Sequence, residues 1–184
     1  MHPIIYFYSK KGNFKISAFY GVLRFVRKLE KTNGFNKFTK IRGEFEKFIY
    51  NYDYVIDQIV RSLRTSKKSV PVLQELYMDI MNFLYDDNDT KKILEKIIHS
   101  GKYPKFLLDQ ELGGSANMEF SSNRKSEVFI NQAFLSANKC PICGGLLHLN
   151  SISIDHVVRK QDGGVGNAEN GQATHFYCNT TYKN

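Results

Sequence analysis

Two short stretches near the end of the chain decide its fold: Cys140-Pro-Ile-Cys143-Gly-Gly and His175-Phe-Tyr-Cys178-Asn179. The first is a Cys-x2-Cys pair on a turn marked by proline and glycine, and the second contains a His-x2-Cys pair. Three sulfurs and one imidazole are a donor set for tetrahedral Zn2+, and together they use all three cysteines of the chain. The spacing predicts a structural zinc site formed by Cys140, Cys143, His175 and Cys178.

Two other interpretations of the cysteines remain open, namely ordinary buried thiols or a disulfide. A disulfide is the weaker alternative, because an odd number of cysteines leaves one thiol over and the chain has no secretory signal. A segment of about 45 residues buries little apolar surface, so a bound zinc ion would supply much of its stability, on the order of 10 to 16 kcal/mol.

A second group of polar residues lies between the two pairs. In Ser151-Ile-Ser-Ile-Asp155-His156-Val-Val158 apolar and polar residues alternate, which is typical of a half-buried β-strand. Neighbouring side chains of a strand point to opposite faces, so Asp155 and His156 can share a face only where the strand is bulged or ends. The glycine-rich residues 161–167 that follow predict an irregular loop.

These residues resemble the HNH endonucleases with a ββα-metal fold, in the subgroup that carries a zinc knuckle. The resemblance covers about 45 of the 184 residues. It rests on the two Cys/His pairs together with Ile154-Asp155-His156-Val157, Gly163-Gly164, Glu169-Asn170 and Cys178-Asn179.

The resemblance implies a role for each remaining polar residue. His156 would be the general base that takes a proton from the attacking water, because histidine exchanges a proton near neutral pH. Asp155 and Asn179 would be the protein ligands of one catalytic Mg2+ or Mn2+ ion, which neutralises charge in phosphodiester hydrolysis. Asn170 would tie the loop and orient the base.

The sequence departs from the family pattern at three places. Ala173-Thr174 stands where the family has an apolar pair, and Tyr182 stands where a lysine is common, with Lys183 following it. Five residues follow Asn179, so the helix of the ββα unit is expected to be a stub.

Composition and charge limit the possible classes of protein. The chain is 42% apolar and 14% aromatic, enough for the core of one or two small domains. It has no apolar run of about 18 residues and no signal peptide, which predicts a soluble, intracellular protein without a membrane partner. The resemblance to HNH endonucleases implies a cytoplasmic protein of a prokaryote or a phage. Most of the formal net charge of +8 precedes residue 131, so the attraction for a polyanion would come from that part. The oligomeric state is left open.

The residues ahead of the zinc site predict mainly helices. The predicted elements are a strand over Met1–Tyr8, a helix capped by Ser17 and ended by Asn33-Gly34, one or two helices over 35–64, a helix over Ser69–Tyr85 with Ser69 as its cap or near it, a helix over Thr90–Ser100, a linker or long loop over 101–125, and a helix capped by Ser126 that runs to about Ala137. Exposed basic clusters are the candidates for phosphate contact, and they comprise Arg61, Arg64, Lys67 and Lys68 in the helical part and Arg159, Lys160 and Lys183 near the zinc site.

The predicted fold is therefore mainly α, with a helical region over 1–125 that binds DNA or a partner, followed by a zinc-stapled ββα-metal module over 126–184. A weaker resemblance links His2-Pro3-Ile-Ile-Tyr-Phe-Tyr-Ser9 and Phe45-Glu46-Lys-Phe48 to bacterial restriction proteins that join a ParB/sulfiredoxin-like NTPase to an HNH domain. It implies an anti-phage role with an NTPase partner outside this chain. Two functions stay open: a metal-dependent DNA endonuclease, or a catalytically inactive zinc-binding module that recognises nucleic acid or protein.

Overall fold

The computed structural model describes residues 1–87, 89–104 and 119–183. Within these ranges the helices are α1 (Pro3–Phe7), α2 (Ile16–Lys31), α3 (Phe35–Asn51), α4 (Asp53–Leu63), α5 (Ser66–Asp86), α6 (Thr90–His99) and α7 (Ser122–Ser136), and the strands are β1 (Ile152–His156) and β2 (Gly171–His175). Short 3-10 turns lie at Leu149–Ser151 and Lys160–Asp162, and a π-helical turn, here called the C-terminal turn, spans Cys178–Tyr182. The predicted class, mainly helical with a small α+β unit at the end, is confirmed.

Aromatic side chains from three helices form the centre of the helical region. The rings of Phe25 and Phe45 stack with their centroids 5.5 Å apart, and Tyr77 of α5 packs against both. All three are buried, and burial of each such side chain contributes about 1.5 to 3 kcal/mol. The phenylalanines of α3 therefore serve the core.

Within the described residues, no helix combines the length and the apolar character needed to cross a bilayer.

The predicted strand over Met1–Tyr8 is wrong, because Pro3–Phe7 is helical. Proline suits the first turn of a helix, where its missing N–H is not needed. The helix places Tyr6 in the core, where the Tyr6 hydroxyl donates to the buried carboxylate of Glu46. Tertiary packing thus outweighs the β-propensity of this aromatic and β-branched stretch.

Two predicted caps, Ser17 and Ser126, are also wrong, and Ser69 lies near the start of its helix without capping it. Helix α2 begins at Ile16, so Ser17 lies inside the helix instead of capping it. The Ser17 hydroxyl forms a hydrogen bond with the hydroxyl of Ser66. Ser69 is buried inside α5, which begins at Ser66. The last predicted helix begins at Ser122, because the Ser121 side chain accepts from the backbone N–H of Arg124. The Ser69 hydroxyl is buried without a hydrogen-bond partner among the described residues, so it caps no helix.

The remaining helical predictions are confirmed, with two helices over 35–64 and one over Thr90–His99. Asp89 caps the latter by accepting from the N–H groups of Lys91 and Lys92. The centre of the predicted linker, residues 105–118, lies outside the described residues.

The small sheet is antiparallel, with Ile152 opposite His175 and His156 opposite Gly171. The alternation in β1 correctly predicts a strand, but the buried face is the polar one. Asp155 is 7% exposed and Ile154 is 61% exposed. The polar face is buried because the C-terminal turn covers it, with the Asn179 amide donating to the Ser153 hydroxyl.

The C-terminal module, residues 140–183, rests on α3. The Tyr177 hydroxyl donates to Asn36 Oδ1 over 2.8 Å, and the Tyr177 ring packs against Phe35. Further along α3, the N–H of Gly43 donates to the carbonyl of Cys143 over 3.0 Å. The helical region therefore contacts the module beside its cysteines.

Candidate metal centre and active site

The turn over residues 140–145, here called the knuckle, brings Cys140 and Cys143 together. The N–H of Gly144 donates to the Cys140 carbonyl over 2.8 Å, and the Cys140 N–H donates to the Gly145 carbonyl over 2.9 Å. Gly144 has φ +68°, a left-handed conformation that glycine adopts without strain. The glycines of Cys-x2-Cys-Gly-Gly thus allow a turn tight enough to place both thiols on one side.

His175 and Cys178 complete this group from the other end of the module. His175 is the last residue of β2 and Cys178 the first of the C-terminal turn. One ligand atom from each of the four residues lies within 4.8 Å of the other three, and all four residues are buried. His175 Nδ1 is 3.3 Å from Cys143 Sγ and 4.0 Å from Cys178 Sγ.

These distances fit a tetrahedral Zn2+ ion. Zinc–sulfur and zinc–nitrogen bonds of about 2.3 and 2.0 Å place the ligand atoms roughly 3.5 to 3.8 Å apart. The other ring nitrogen, His175 Nε2, is 3.0 Å from the Leu146 carbonyl and donates to it, which leaves the lone pair of Nδ1 facing the thiols. The Cys3His group therefore suggests zinc binding, as the spacing predicts.

Without a metal the cluster shares its protons unequally: the pKa of the Cys140 thiol is lowered, whereas hydrogen bonds to Cys140 and Cys143 raise the pKa of the Cys178 thiol. Hydrogen bonds from Cys143 and Cys178 hold the pKa of the Cys140 thiol well below its usual range. Burial disfavours the charged form of His175, yet hydrogen bonds to Cys140 and Cys143 outweigh burial and raise its pKa to about 9. A bound Zn2+ ion would have to displace these protons, because only a thiolate and a neutral imidazole nitrogen bind the metal.

Asp155 and His156 share one cavity although adjacent strand residues face opposite ways. His156 is the final residue of β1, so its side chain is released from the pleat. Both residues line an open cavity of about 330 Å³, and a Cβ added at Gly166 would lie 3.9 Å from His156 Nε2. The other lining residues are Arg159, Lys160, Gln161 and Lys183. The two residues at the end of the strand therefore border the same cavity.

The carboxylate of Asp155 is held by two donors. Lys183 Nζ lies 2.6 Å from Asp155 Oδ2, and Gln172 Nε2 donates to the same oxygen over 2.9 Å. Burial raises the pKa of Asp155, but the hydrogen bonds from Lys183 and Gln172 outweigh it and lower that pKa below its usual value. Asp155 is therefore ionised at neutral pH, as a metal ligand must be.

Asn170 holds the loop between the strands. Its Oδ1 accepts from the Val158 N–H over 2.7 Å, and its Nδ2 donates to the carbonyls of Val158 and Val165 over 3.0 and 2.9 Å. The Asn170 carbonyl also accepts from the Val157 N–H. These bonds fix the chain directly after His156.

Asn179 packs beside Asp155 on the covered face of the sheet. Its Nδ2 donates to Ser153 Oγ over 2.9 Å and to the Ile154 carbonyl over 3.2 Å. The side chain thus lies against the backbone that leads directly into Asp155. The C-terminal turn is short, but it positions both Asn179 and Lys183.

The candidate phosphate-binding residues fall into two separate groups. Arg159, Lys160 and Lys183 line the cavity. The other cluster is exposed at the junction of α4 and α5 and consists of Arg61, Arg64, Lys67 and Lys68. The cavity cations are next to the acid and imidazole, whereas the α4–α5 cluster belongs to the helical region.

Two residues of this site carry no signal in the sequence. Gln172 reaches Asp155 because the two are directly opposite in the β1–β2 register, which the alternation alone does not fix. Glu46 accepts from the backbone N–H of Leu146 over 2.7 Å, across 100 residues of sequence. Neither contact follows from local spacing.

Comparison with known proteins supports the interpretation of this region. The model of the HNH endonuclease family matches residues 140–184. Searches among curated proteins and among solved structures gave no match. Residues 140–184 are an HNH endonuclease domain whose Cys3His group fits a zinc-binding module of that family.

Proposed function

We propose that this chain is a metal-dependent endonuclease that hydrolyses phosphodiester bonds of DNA. The observation that carries the proposal is the cavity shared by Asp155 and His156 within an HNH domain. A structural zinc site has no need of an acid and an imidazole beside it, whereas phosphodiester hydrolysis needs both.

The charges around the cavity suit an anionic substrate. Arg159, Lys160 and Lys183 line it together with one carboxylate, so the cavity would attract a phosphate group. We assign the role of general base to His156, whose ring accepts the proton of the attacking water. Asn170 restrains the backbone at Val157 and Val158 and thereby limits the positions that the imidazole can take.

We assign the catalytic divalent ion, Mg2+ or Mn2+, to Asp155 and Asn179. A carboxylate and an amide oxygen are donors that these ions prefer. The Asp155 oxygen already accepts an ammonium group at 2.6 Å, which supports its use as a cation ligand. When bound, the ion would supply charge neutralisation at the phosphate and at the leaving oxygen.

A plasmid cleavage assay with zinc-loaded protein tests this function. Wild-type protein is compared with His156→Ala in Mg2+, in Mn2+ and in EDTA, and His99→Ala serves as control because His99 is an exposed histidine at the end of α6. We expect metal-dependent nicking that falls about 100- to 10,000-fold in His156→Ala, with DNA binding retained. His99→Ala should cleave like the wild type.

Two results would contradict the proposal. Undiminished nicking by His156→Ala would remove the assigned base. DNA binding by wild-type protein without cleavage in any metal would favour the alternative, a catalytically inactive zinc module that recognises nucleic acid.

We further propose separate roles for the two parts of the chain and a biological role in defence against phage. Residues 1–125 would grip DNA or a partner and residues 126–184 would cut. The resemblance of His2–Ser9 and Phe45–Phe48 to restriction proteins with an NTPase supports a role in defence against phage. Phage plating on cells that express wild-type protein or His156→Ala, with and without a co-expressed ParB/sulfiredoxin-like NTPase, tests this setting, since protection should require the imidazole.

A further inference from the structure

A buried carboxylate of the helical region reaches the zinc knuckle. Glu46 of α3 is 3% exposed. Its Oε2 accepts from the Leu146 N–H over 2.7 Å, and its Oε1 accepts from the Tyr6 hydroxyl over 3.0 Å and from Arg42 Nε over 2.9 Å. A buried charge is stable only when it is paired and hydrogen-bonded, and these three donors meet that need.

Leu146 connects this carboxylate to a zinc ligand. Its N–H is held by Glu46, and its carbonyl accepts from His175 Nε2 over 3.0 Å. The same hydrogen bond directs His175 Nδ1 toward Cys143. One residue of the module therefore lies between the helical region and the imidazole, and a shift of Leu146 moves the metal-binding nitrogen.

The backbone of α3 also presses against the knuckle itself. The Gly43 N–H is 3.0 Å from the Cys143 carbonyl, and a Cβ at Gly43 would lie 3.2 Å from the backbone of Gly144. A Cβ at Gly145 would lie 2.8 Å from Arg42 Nε. The glycines on both sides thus allow the helix and the knuckle to approach without side chains between them.

Arg42 adds a buried positive charge beside the thiols. It is 8% exposed, and its Nη2 is buried without a hydrogen-bond partner among the described residues. Burial opposes the charge of Arg42, but the ion pair of its Nε with Glu46 Oε1, over 2.9 Å, compensates for burial. A site with three thiolates, a neutral imidazole and Zn2+ has a net charge of about −1, which a neighbouring guanidinium offsets.

We propose that Glu46 and Arg42 of α3 are positioning residues of the zinc site, holding Leu146 and the knuckle so that His175 faces the three thiols. The inference rests on the proposed zinc binding by Cys140, Cys143, His175 and Cys178. It makes the helical region part of the metal centre although it supplies no ligand.

The test measures zinc affinity of the full-length protein by competition with a fluorescent chelator. Glu46→Gln removes the charge and at least one acceptor, and Gly43→Ala inserts a methyl group against Gly144 without changing charge. We expect each to weaken zinc binding about 10- to 100-fold, the usual effect of losing an outer contact of a metal ligand. Glu44→Gln, on the same helix but paired only with exposed Lys47 in the described contacts, is the matched control and should bind like the wild type.

A second readout separates positioning from general stability. The visible spectrum of the Co2+-substituted protein reports ligand geometry, and it should change in Glu46→Gln and Gly43→Ala while the far-UV circular dichroism stays helical. If Glu46→Gln loses its helical circular dichroism spectrum, the zinc affinity and the cobalt spectrum of Gly43→Ala alone test the inference.

The outcomes distinguish the inference from the proposal on which it rests. Folded Glu46→Gln or, if that fails to fold, folded Gly43→Ala with the wild-type zinc affinity and cobalt spectrum would overturn the inference while leaving the zinc site intact. Wild-type protein that holds no stoichiometric zinc would overturn the zinc site and, with it, the positioning role.

Discussion

Lys183 is the residue whose contact bears most directly on the proposed catalytic ion. Its Nζ lies 2.6 Å from Asp155 Oδ2 and 3.3 Å from the His156 carbonyl. A divalent ion at the Asp155 carboxylate has to compete with this ammonium group, because both need the same negative charge.

We therefore expect Lys183→Met to bind Mn2+ about three- to tenfold more tightly than the wild type in the absence of DNA. The factor corresponds to roughly 1 kcal/mol, typical of a partly exposed ion pair. Electron paramagnetic resonance titration of free Mn2+ measures it. Lys160→Met removes another cation of the cavity and controls for the general loss of positive charge. Equal or weaker Mn2+ binding by Lys183→Met would show that the ammonium does not compete.

Asn170 is a second residue whose role is testable by a change of one group. Asn170→Asp replaces two amide donors by an oxygen that faces the carbonyls of Val158 and Val165. The lost hydrogen bonds and the repulsion should destabilise the loop by about 1 to 3 kcal/mol.

Hydrogen exchange of the peptide covering residues 157–170 should therefore be about five- to 150-fold faster in Asn170→Asp. Plasmid nicking should fall in the same variant. Asn150→Asp makes the same change at an exposed asparagine of the Leu149–Ser151 turn and should leave exchange and nicking unaltered. Unchanged protection of the loop in Asn170→Asp would mean that its backbone bonds hold the loop without the side chain.

For individual residues, the sequence predicted correctly which four Cys and His side chains come together, but it did not predict what surrounds them. Cys-x2-Cys and His-x2-Cys are local spacings, so the pattern identifies four side chains that meet in space. The contacts of Gln172 with Asp155 and of Glu46 with Leu146 depend on strand register and on tertiary packing. No local pattern encodes either of them.

Among the elements, β1 shows how a correct strand prediction can leave the buried face undetermined. The alternation of Ile152–His156 predicts two faces but does not state which one is covered. The apolar face is exposed because the end of the chain packs on the polar face. There Asn179 donates a hydrogen bond to Ser153, and Lys183 donates one to Asp155. The usual expectation that the apolar face of a strand is buried fails at β1, because the groups that pack on this strand hydrogen-bond to its polar side chains.

The junction of α4 and α5 is an element whose role can be measured. Arg61, Arg64, Lys67 and Lys68 are exposed there, and Arg64 adopts a left-handed conformation that ends α4. If this junction contacts DNA phosphates, the affinity of the double variant Lys67→Gln/Lys68→Gln for DNA should depend less on salt concentration than that of the wild type. The slope of log K against log salt should fall by about 0.9 for each phosphate contact that is lost.

Binding of a DNA duplex at several salt concentrations, measured by fluorescence anisotropy, gives this slope. Lys91→Gln/Lys92→Gln on α6 has the same loss of charge and should leave the slope closer to that of the wild type. Equal slopes in both double variants would indicate that only the overall charge attracts DNA.

For the whole molecule, composition and helical periodicity predicted the fold class and a boundary at residue 125, but they did not predict how the two parts interact. The contacts at the zinc site argue against energetic independence. Three residues of α3 form hydrogen bonds with residues of the C-terminal module, namely Asn36, Gly43 and Glu46. Such contacts leave no trace in composition or periodicity, because they join residues about a hundred positions apart.

A fragment of residues 126–184 tests this dependence. Without α3, the Leu146 N–H loses its carboxylate partner and the knuckle loses the surface formed by Arg42 and Gly43. We expect the fragment to bind zinc about 10- to 100-fold more weakly than the full chain and to exchange it faster, measured by chelator competition. Full-length Glu46→Gln should bind zinc no more weakly than the fragment, since it removes only one of the contacts that the fragment lacks. A fragment that matches the full chain in zinc affinity would show that the module alone sets the geometry of its metal centre, and that α3 serves only to place the module beside the helical region.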